Sequence, residues 1–389
     1  MRDWFQEFKN FFRKGDMVLL LLCLITSAFG TLIIASATNA SKFGSSTRYI
    51  IIQLVATLLG VLMYAVMSSI NLEFLSEHRV SLAGFNVFLL LLLIPFGTDA
   101  GTENRSWLDF PFLPVNIQPA EICKIFYIVI MASVMASRQN RISSLPSVLH
   151  MAGHLILIVG TNMVISKDLG VTLIFIFVFV GMAFAGGVSL LWFLLGGGAV
   201  VAAFPILWNN FMDPYQQKRI LYILNPEEVD PKGLGVGWHT NQSLQSLTGG
   251  GILGQGLFNG NRTQAGALYA QHTDFVFSTI GEELGYMGCA LVLLTLVLIV
   301  ARCIWVGTHS SDYMRRLVCF GAASALIFQV CINVGMCIGL VPVIGLTLPL
   351  FSYGGSSIVT IYAMLGLVSG VHARPAATSH ERYIRAPLS

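Results

Sequence analysis

A carboxylate and an imidazole lie close together where a long polar stretch of this sequence meets an apolar run. The segment is Gln271-His272-Thr273-Asp274-Phe275, and apolar residues resume directly after it. Ionisable groups at a membrane boundary are costly unless they are paired or used. A carboxylate there can have a raised pKa and take a proton from a hydroxyl group, so Asp274 is a candidate general base.

His272 is a candidate to share that proton or to orient the carboxylate of Asp274. Each of these residues also has a simpler interpretation. Thr273 or Asp274 could cap the helix that the following apolar run predicts, and His272 could be an ordinary surface histidine.

A second polar cluster begins another apolar run, with Gln118-Pro119-Ala120-Glu121 followed by Lys124. Glu121 and Lys124 are three residues apart and therefore share one helix face. Because an unpaired lysine in lipid costs about 2.5–3.5 kcal/mol, we expect the two to pair inside the bundle. The pair is either purely structural or part of a polar cavity that receives a headgroup.

Further polar candidates lie at the ends of other apolar runs. Trp107 is either an interfacial anchor or a stacking platform for a sugar, and Arg105 is a nearby cation. Asp168 belongs to a short charged turn, Lys167-Asp168-Leu169-Gly170, for which simple solvation is the ordinary explanation.

The polar stretch before Asp274 also contains candidate anion-binding groups. Lys218 and Arg219 could pair with a pyrophosphate or belong to a basic helix at the membrane surface. The glycine-rich run 248–256 would let backbone N–H groups approach an anion closely. It is not a P-loop, because no Gly-Lys-Ser/Thr follows it.

The composition identifies the elements that must position these residues. The chain has 389 residues, of which 55% are hydrophobic and only 11% are charged, and its mean hydropathy is +0.74. A soluble domain has roughly 25% charged residues, so we predict an all-α polytopic membrane protein. With ~20 apolar residues needed per spanning helix, the sequence predicts about ten transmembrane helices: 17–37, 49–69, 80–97, 119–136, 147–165, 169–186, 188–207, 276–304, 314–340 and 350–371.

The distribution of Lys and Arg predicts the orientation. With the N-terminus inside, thirteen of these residues lie on the cytoplasmic side and four in the short outer loops. Because cytoplasmic loops carry the excess of positive charge, both termini are expected in the cytoplasm. The sequence thus predicts a single domain over 1–389, with cytoplasmic tails 1–16 and 372–389 and a large outer loop 208–275 between helices 7 and 8.

In their shared order, these motifs resemble the SEDS family (shape, elongation, division and sporulation), which includes RodA, FtsW and SpoVE. The resemblance runs from the first span to Ser357 and is strongest at His272-Thr273-Asp274-Phe275 with Glu282-Glu283-Leu284-Gly285. It continues in Gln118-Pro119-Ala120-Glu121, in Asn225-Pro226 through Asp230-Pro231 to Gln242-Ser243, and in Ser352-Tyr353-Gly354-Gly355-Ser356-Ser357. The amino-acid sequence of the large loop is more similar to RodA than to FtsW.

The resemblance implies a peptidoglycan glycan-strand polymerase of the bacterial cell membrane that uses lipid II and acts in cell elongation. It implies a class B penicillin-binding protein as partner, no nucleic acid, and an outward-facing active site in which Asp274 matches the essential acid. No cofactor is certain, although a divalent cation such as Mg²⁺ or Mn²⁺ is an option, and any metal ligands are unknown. The candidate substrate-binding residues are Arg105, Trp107, Gln118, Glu121, Lys124, Asp168, Lys218, Arg219, Gln242, Ser243, His272 and Thr273.

Three positions depart from the family pattern. Ala270-Gln271 replaces a Pro-Glu, Lys167 replaces the proline of Pro-Asp-Leu-Gly, and Ser106 separates an Arg-Trp pair into Arg105 and Trp107. Other readings of the whole chain are a lipid II flippase that uses a cavity at Glu121 and Lys124, an inactive scaffold, and a division-specific or sporulation-specific polymerase.

Overall fold

The computed structural model describes residues 15–40, 46–98, 105–109, 116–210 and 212–374. Most of both predicted tails, 1–16 and 372–389, lies outside these residues. Numbered from the first described helix, the helices are α1 Met17–Ala37, α2 Ser46–Ser69, α3 Leu72–Glu77, α4 Arg79–Leu91, α5 Leu93–Phe96, α6 Pro119–Ala136, α7 Leu145–Ile165, α8 Leu169–Ala185, α9 Leu190–Asn210, α10 Pro214–Leu224, α11 Pro226–Val229, α12 Trp238–Gly250, α13 Asn261–Gln264, α14 Val276–His309, α15 Tyr313–Cys337 and α16 Gly355–Ala373.

The predicted all-α, many-span architecture is confirmed. Within the described ranges, nine helical segments are long and apolar enough to cross a membrane, with α4 and α5 together forming one of them. The apolar helix α8 is slightly shorter, with 17 residues, and corresponds to the remaining predicted span. The largest differences from the predicted bounds are that the third span has a break at Leu92, the eighth extends to His309, and the last begins at Gly355 rather than at residue 350.

Helix α6 forms the centre of the bundle. It begins at Pro119, which suits a first helical position because its missing N–H would have no intrahelical partner. The helix is buried along nearly its whole length and packs against α4, α7, α8, α15 and α16. A helix that is buried on all sides must satisfy any polar group within the bundle, which explains why its charged residues are paired.

The described residues contain two short strands, which form a small hairpin beside α5. Strand β1 (Gly97–Thr98) pairs antiparallel with β2 (Trp107–Leu108), with Gly97 opposite Leu108. Leu108 also forms an isolated bridge to Ile117, so the hairpin leads the chain directly to the start of α6.

The predicted outer loop 208–275 is not an open loop, because it contains helices of its own. α10 begins with a capping box in which Asp213 and Gln216 bond to each other's backbone. α12 packs along the start of α14, and its buried side includes Ser243 and Leu247. The segment therefore forms a folded cover over the bundle.

The glycine-rich run after α12 pairs with a kink in α14 and is not an anion cradle. Gly285 has φ +66° and ψ −168°, which interrupts the helix two turns after it begins. Backbone groups freed at such a kink must find partners, because lipid offers none. Four backbone hydrogen bonds supply these partners: Tyr286 N–H to Gly251 O (3.0 Å), Met287 N–H to Ile252 O (3.2 Å), Gln255 N–H to Glu282 O (3.0 Å) and Gly256 N–H to Glu283 O (2.9 Å).

This backbone pairing predicts that Gly254 tolerates no side chain. Gly254 has φ +79°, and a Cβ at this position would overlap the backbone of Glu283 and Leu284. We expect Gly254→Ala to destabilise the protein by more than about 1 kcal/mol, measured as a lower thermal unfolding temperature in detergent. Gly249→Ala is the matched control, because its Cβ would meet only the Gln255 side chain, at 3.4 Å, and alanine favours the helix there. Equal melting temperatures for the two variants would contradict this account.

Candidate active site

The backbone of Asp274 is held by an amide side chain from another helix. Asn333, fully buried on α15, donates from Nδ2 to the carbonyl of Asp274 and to that of Leu346, both at 2.7 Å. Helix α14 begins at Val276, and its N-cap residue, Phe275, makes no side-chain capping bond. The alternative in which Thr273 or Asp274 caps this helix is therefore wrong.

The backbone of Asp274 is hydrogen-bonded, whereas its carboxylate has no bonding partner among the described side chains. It is half-buried, and within the described residues no side chain donates a hydrogen bond or forms an ion pair with it. Gly345 approaches it so closely that a Cβ there would lie 3.6 Å from Oδ2. Burial, together with the negative charge of Asp168, raises the pKa of Asp274 to about 6. A group with these properties can accept a proton near neutral pH.

Aromatic rings surround His272 beside this carboxylate. Its ring centroid lies 5.1 Å from that of Tyr49 and 5.7 Å from that of Tyr353, and its carbonyl accepts a hydrogen bond from Tyr353 N–H at 2.8 Å. Burial lowers the pKa of His272 to about 4, so the ring is neutral at physiological pH. His272 thus contributes a neutral imidazole, not a second charge.

Sequence reasoning missed Tyr49, Tyr353 and the nearby cation Arg48. Tyr49 and Tyr353 have centroids 5.0 Å apart, and Arg48 lies near enough to influence the pKa of Tyr353, which burial raises. Residues 48 and 49 belong to the start of α2, more than two hundred positions before His272. Tyr353 belongs to a motif that the family shares, but nothing in the sequence indicates that these two tyrosines meet one another.

The segment before α16 helps to fix the site and does not begin a helix as predicted. Ser352 Oγ donates to the carbonyl of Thr273 at 2.6 Å and accepts from Leu348 N–H at 2.8 Å. The Thr273 hydroxyl donates to the carbonyl of Ala270, at 3.3 Å. The Thr273 carbonyl is thus held by Ser352, and its hydroxyl is held by the carbonyl of Ala270. These bonds fix Thr273 between His272 and Asp274.

Asp168 provides a second carboxylate near Asp274. It caps α8 by accepting from Val171 N–H at 3.1 Å, and its other oxygen accepts from Gln118 Nε2 at 3.3 Å. Burial raises the pKa of Asp168, and the charge of Glu121 acts in the same direction. The preceding Lys167 is exposed and has φ +54°, which a proline ring cannot adopt, so this turn departs from the family pattern in backbone shape as well as in charge.

The predicted ion pair between Glu121 and Lys124 is confirmed, with Lys124 Nζ 2.8 Å from Glu121 Oε2. The residues are only 4% and 1% exposed. Lys124 also reaches Gln329 Oε1 at 3.4 Å, and Thr360 donates to Glu121 at 3.0 Å. These contacts join α6 to α15 and α16, so the pair has the surroundings of a structural link and not those of an open cavity.

The candidate cations are placed differently from one another. Arg219 stacks over the Tyr215 ring, 4.4 Å from its centroid, and donates to the carbonyl of Val343 at 3.0 Å. Val343 is two residues before Gly345, which brings Arg219 to the segment that contacts Asp274. Lys218 is exposed on the same helix.

Arg105 and Trp107 belong to the hairpin. The Arg105 Nε donates to the carbonyl of Gly97 at 2.7 Å, which ties the guanidinium to strand β1. Trp107 is half-buried on β2, and its carbonyl accepts a bond from Thr98 at 3.3 Å. The structure describes no contact between either residue and Asp274.

Gln242 and Ser243 have packing partners in this structure. The Gln242 side chain accepts a bond from the Arg262 guanidinium. Ser243 is completely buried, with its hydroxyl 2.5 Å from that of Ser278 and 2.7 Å from the carbonyl of Cys337. Ser243 joins α12, α14 and α15, and a substrate cannot reach it in this arrangement.

The departure at Gln271 has a structural explanation. This buried side chain donates from Nε2 to the carbonyls of Ala37 and Thr263, at 2.7 and 2.9 Å. Two carbonyl acceptors require a donor, which an ionised glutamate cannot provide. Gln271 therefore anchors the segment before Asp274 to α1 and α13.

Comparison with known proteins identifies the same family along most of the chain. A family model described as a cell cycle protein, of FtsW, RodA and SpoVE, matches residues 16–376. The peptidoglycan glycosyltransferase MrdB of Escherichia coli K12 is 32% identical over 361 residues, covering 92% of this chain and 93% of MrdB. The probable peptidoglycan glycosyltransferase FtsW of Trichlorobacter lovleyi is 31% identical over 367 residues, covering 92% of this chain and 93% of that protein.

Solved structures agree with this relationship. Thermus thermophilus RodA, a rod shape determining protein, superposes with a TM-score of 0.68 at 26% identity, covering 94% of this chain and 98% of RodA. A chain from a peptidoglycan synthase complex that coordinates polymerization and crosslinking superposes with a TM-score of 0.77 at 29% identity. It covers 92% of this chain and 97% of that chain.

The buried ion pair yields a stability prediction. Lys124→Met leaves Glu121 charged without its partner, and breaking a buried pair from one side costs about 3–5 kcal/mol. We expect this variant to have a much lower thermal unfolding temperature in detergent. The double variant Glu121→Gln with Lys124→Met removes both charges and should recover most of the loss. A single variant as stable as the parent would show that the pair lies in a water-filled cavity.

Proposed function

This chain belongs to the cell cycle protein family of FtsW, RodA and SpoVE, and we propose that it polymerises peptidoglycan glycan strands from lipid II, with Asp274 as the general base. The observation that carries the proposal is the state of the Asp274 carboxylate. It is half-buried, has a pKa raised to about 6, and has no ion-pair partner in the described structure. An acid kept unpaired at the end of a membrane helix is suited to accept a proton from a substrate.

In the proposed step, Asp274 takes the proton from the 4-hydroxyl of the GlcNAc of an incoming lipid II. The oxygen attacks the anomeric carbon of the terminal MurNAc of the growing strand, forming the new C–O bond. The bond from that carbon to the lipid pyrophosphate breaks, and the pyrophosphate leaves with the electron pair. Because the donor is α-linked and the product is β-1,4, the step inverts configuration.

This chemistry needs positive charge at the leaving group. An inverting hydrolase uses a second carboxyl as general acid, whereas a pyrophosphate leaves without a proton if cations stabilise it. Arg219 is the best placed of the candidates, because it contacts the 343–345 segment beside Asp274. Lys218 is its exposed neighbour, and Arg105 is a candidate that is held by the hairpin.

The carboxylates at this site could contribute ligands to a divalent cation, but the described residues do not supply a complete set of ligands. Within the described residues, no group of three or more His, Cys, Asp or Glu side chains could hold a metal. Mg²⁺ commonly uses one or two carboxylates with water and substrate phosphates, and Asp168 and Asp274 are the two carboxylates here. A bound Mg²⁺ or Mn²⁺ would supply positive charge to the pyrophosphate.

The cellular setting follows from the same proposal. The positive-inside pattern supports an orientation in which the cover that contains α12 and the Asp274 site face the outer side of the bacterial cell membrane. Lipid II and the lipid-linked strand would reach the site by diffusion in the membrane. A class B penicillin-binding protein is the proposed partner, and cell elongation is the proposed role, with division and sporulation as alternatives.

The flippase alternative loses support from the surroundings of the Glu121–Lys124 pair. A headgroup-translocating path through this pair requires polar groups that a passing substrate can contact. Instead, both charges are buried and already bonded to Gln329 and Thr360. The polymerase proposal requires no such path.

The first functional prediction is that Asp274→Asn abolishes strand synthesis. An asparagine has nearly the same shape but cannot take the proton, so the polymerisation rate from purified lipid II should fall by about 10²- to 10⁴-fold. Glu227→Gln, which neutralises an exposed acid of the outer cover, should be as active as the parent. Undiminished polymerisation by Asp274→Asn would falsify the base assignment. The flippase would be favoured if the parent protein did not polymerise lipid II and if Asp274→Asn translocated lipid II in vesicles as fast as the parent.

The second functional prediction concerns pH. A base with a pKa of about 6 is protonated below that value, so the polymerisation rate should rise as pH increases through about 6. The charge of Asp168 helps to raise this pKa, so Asp168→Asn should move the rise to lower pH. Asparagine still caps a helix, which preserves the start of α8. A pH profile identical to that of the parent and of Glu227→Gln would rule out electrostatic coupling between the two carboxylates.

A further inference from the structure

A long apolar groove is lined by none of the residues used in the proposed reaction. It runs between α4 and α7, has a volume of about 490 Å³, and is open along its length. From Val80 to Leu91 it follows α4 for about 17 Å, at 1.5 Å per residue. This length is close to half of a ~30 Å hydrocarbon core, which is the depth of one leaflet. The wall is formed by Val80, Gly84, Val87, Phe88, Leu91 and Leu157, with His154 as its polar member.

The wall of the groove is open at Gly84, which has no side chain. Gly84 on α4 and Gly153 on α7 are both exposed, and a Cβ added to either would meet no atom within 4 Å. Neither glycine is required by a tight helix contact, unlike Gly60, whose Cβ would meet the ring of Tyr362. A large side chain at Gly84 would therefore fill the groove without disturbing the bundle.

One end of the groove is positively charged. His150 and His154 stand one turn apart on α7, with ring centroids 5.1 Å apart at 76°. Arg79 at the start of α4 acts electrostatically on both rings, and Arg138 acts on His150. No carboxylate of the described residues is among the charges that act on the two histidines. Arg79 and Arg138 therefore make this end of the groove cationic, and the two histidines have no acidic partner among the described residues.

The positive-inside rule alone does not explain this cluster. That rule accounts for arginines in the loops and at helix ends, which describes Arg79 and Arg138. It does not account for two histidines one and a half to three turns inside a lipid-facing helix. Ionisable residues in such positions are rare and generally face a partner. A basic pocket between transmembrane helices on the cytoplasmic side is the pattern that binds an anionic lipid headgroup.

We propose that the groove between α4 and α7 binds an anionic glycerophospholipid of the cytoplasmic leaflet. One acyl chain lies along Val80–Leu91, and the phosphate lies against Arg79, Arg138, His150 and His154. The apolar wall matches a chain that spans one leaflet, and the two arginines with the neighbouring imidazole rings match a phosphate. A polyprenyl phosphate has a similar headgroup, but its chain is much longer than the groove.

The test is lipid binding by the purified full-length chain, observed by native mass spectrometry in detergent. Phosphatidylglycerol and phosphatidylethanolamine with the same acyl chains are titrated separately, and an undecaprenyl phosphate titration forms a third arm. We expect one tightly held phosphatidylglycerol per chain and at least tenfold weaker retention of the other two lipids.

Two variants separate the roles of shape and charge. Gly84→Leu should remove the tightly held lipid, while Gly196→Leu, on the exposed face of α9, should not. Arg79→Gln with Arg138→Gln should weaken phosphatidylglycerol retention by about fivefold per lost charge, while Arg141→Gln should leave retention unchanged. Thermal unfolding of each variant confirms that the bundle is intact.

The outcomes that overturn the proposal are distinct. Equal binding by Gly84→Leu and Gly196→Leu would show that the groove is not the site. Equal retention of the zwitterionic and anionic phospholipids would show that the cations are not used, and tighter retention of undecaprenyl phosphate would show that the occupant is a polyprenyl lipid. Because the readout is lipid mass and not polymerisation, the result does not depend on the proposed enzyme activity.

Discussion

The amide of Asn333 is the contact on which the active site depends. One donor group joins the carbonyls of Asp274 and Leu346, and so fixes the end of the outer cover against the segment before α16. Ser352 repeats this arrangement one residue earlier, because its hydroxyl bonds to the carbonyl of Thr273. The backbone carbonyls of Thr273 and Asp274 are thus fixed, although both residues lie outside any helix. Such fixation is needed if a side chain is to be held ready without being bound.

Other acids of the bundle show what distinguishes Asp274. Asp16 is paired with Arg302 through two bonds, at 2.8 and 3.1 Å, and Glu121 is paired with Lys124. Glu282 is not paired with a cation but accepts the backbone N–H groups of Arg262 and Thr263, and so attaches α13 to α14. Each of these carboxylates has its charge compensated and stabilises the fold. The Asp274 carboxylate has no such partner in the described structure, and for this reason its protonation can respond to a substrate.

The sequence was sufficient for the features that depend on neighbours along the chain. Apolar length predicted the spans, the three-residue spacing predicted the Glu121–Lys124 pair, and the position of Asp274 at a polarity boundary predicted an unusual carboxylate. The features that depend on distant contacts could not be predicted. Asn333 is 59 positions from Asp274, and Tyr49 and Tyr353 reach His272 from opposite parts of the chain.

Two local patterns were interpreted in the wrong context. Glycines that permit close approach to an anion permit equally close approach to another backbone, and here the partner is the kink at Gly285. Ser243 belongs to a polar motif, but only the packing of α12 decides that its hydroxyl faces the interior. In both cases the residue type specified what the backbone or side chain can do, while the tertiary fold selected the partner.

One physical rule links the two ends of the molecule. In a low-dielectric bundle, a charge that has a counter-ion or a set of hydrogen-bond donors is structural, and a charge that has neither needs a ligand or water. At the outer end this rule selects Asp274 from among the acids. At the inner end it selects Arg79 and Arg138 beside the two histidines, in contrast to Arg302, which Asp16 compensates. The same criterion therefore underlies both the proposed proton acceptor in one leaflet and the proposed anion-binding groove in the other.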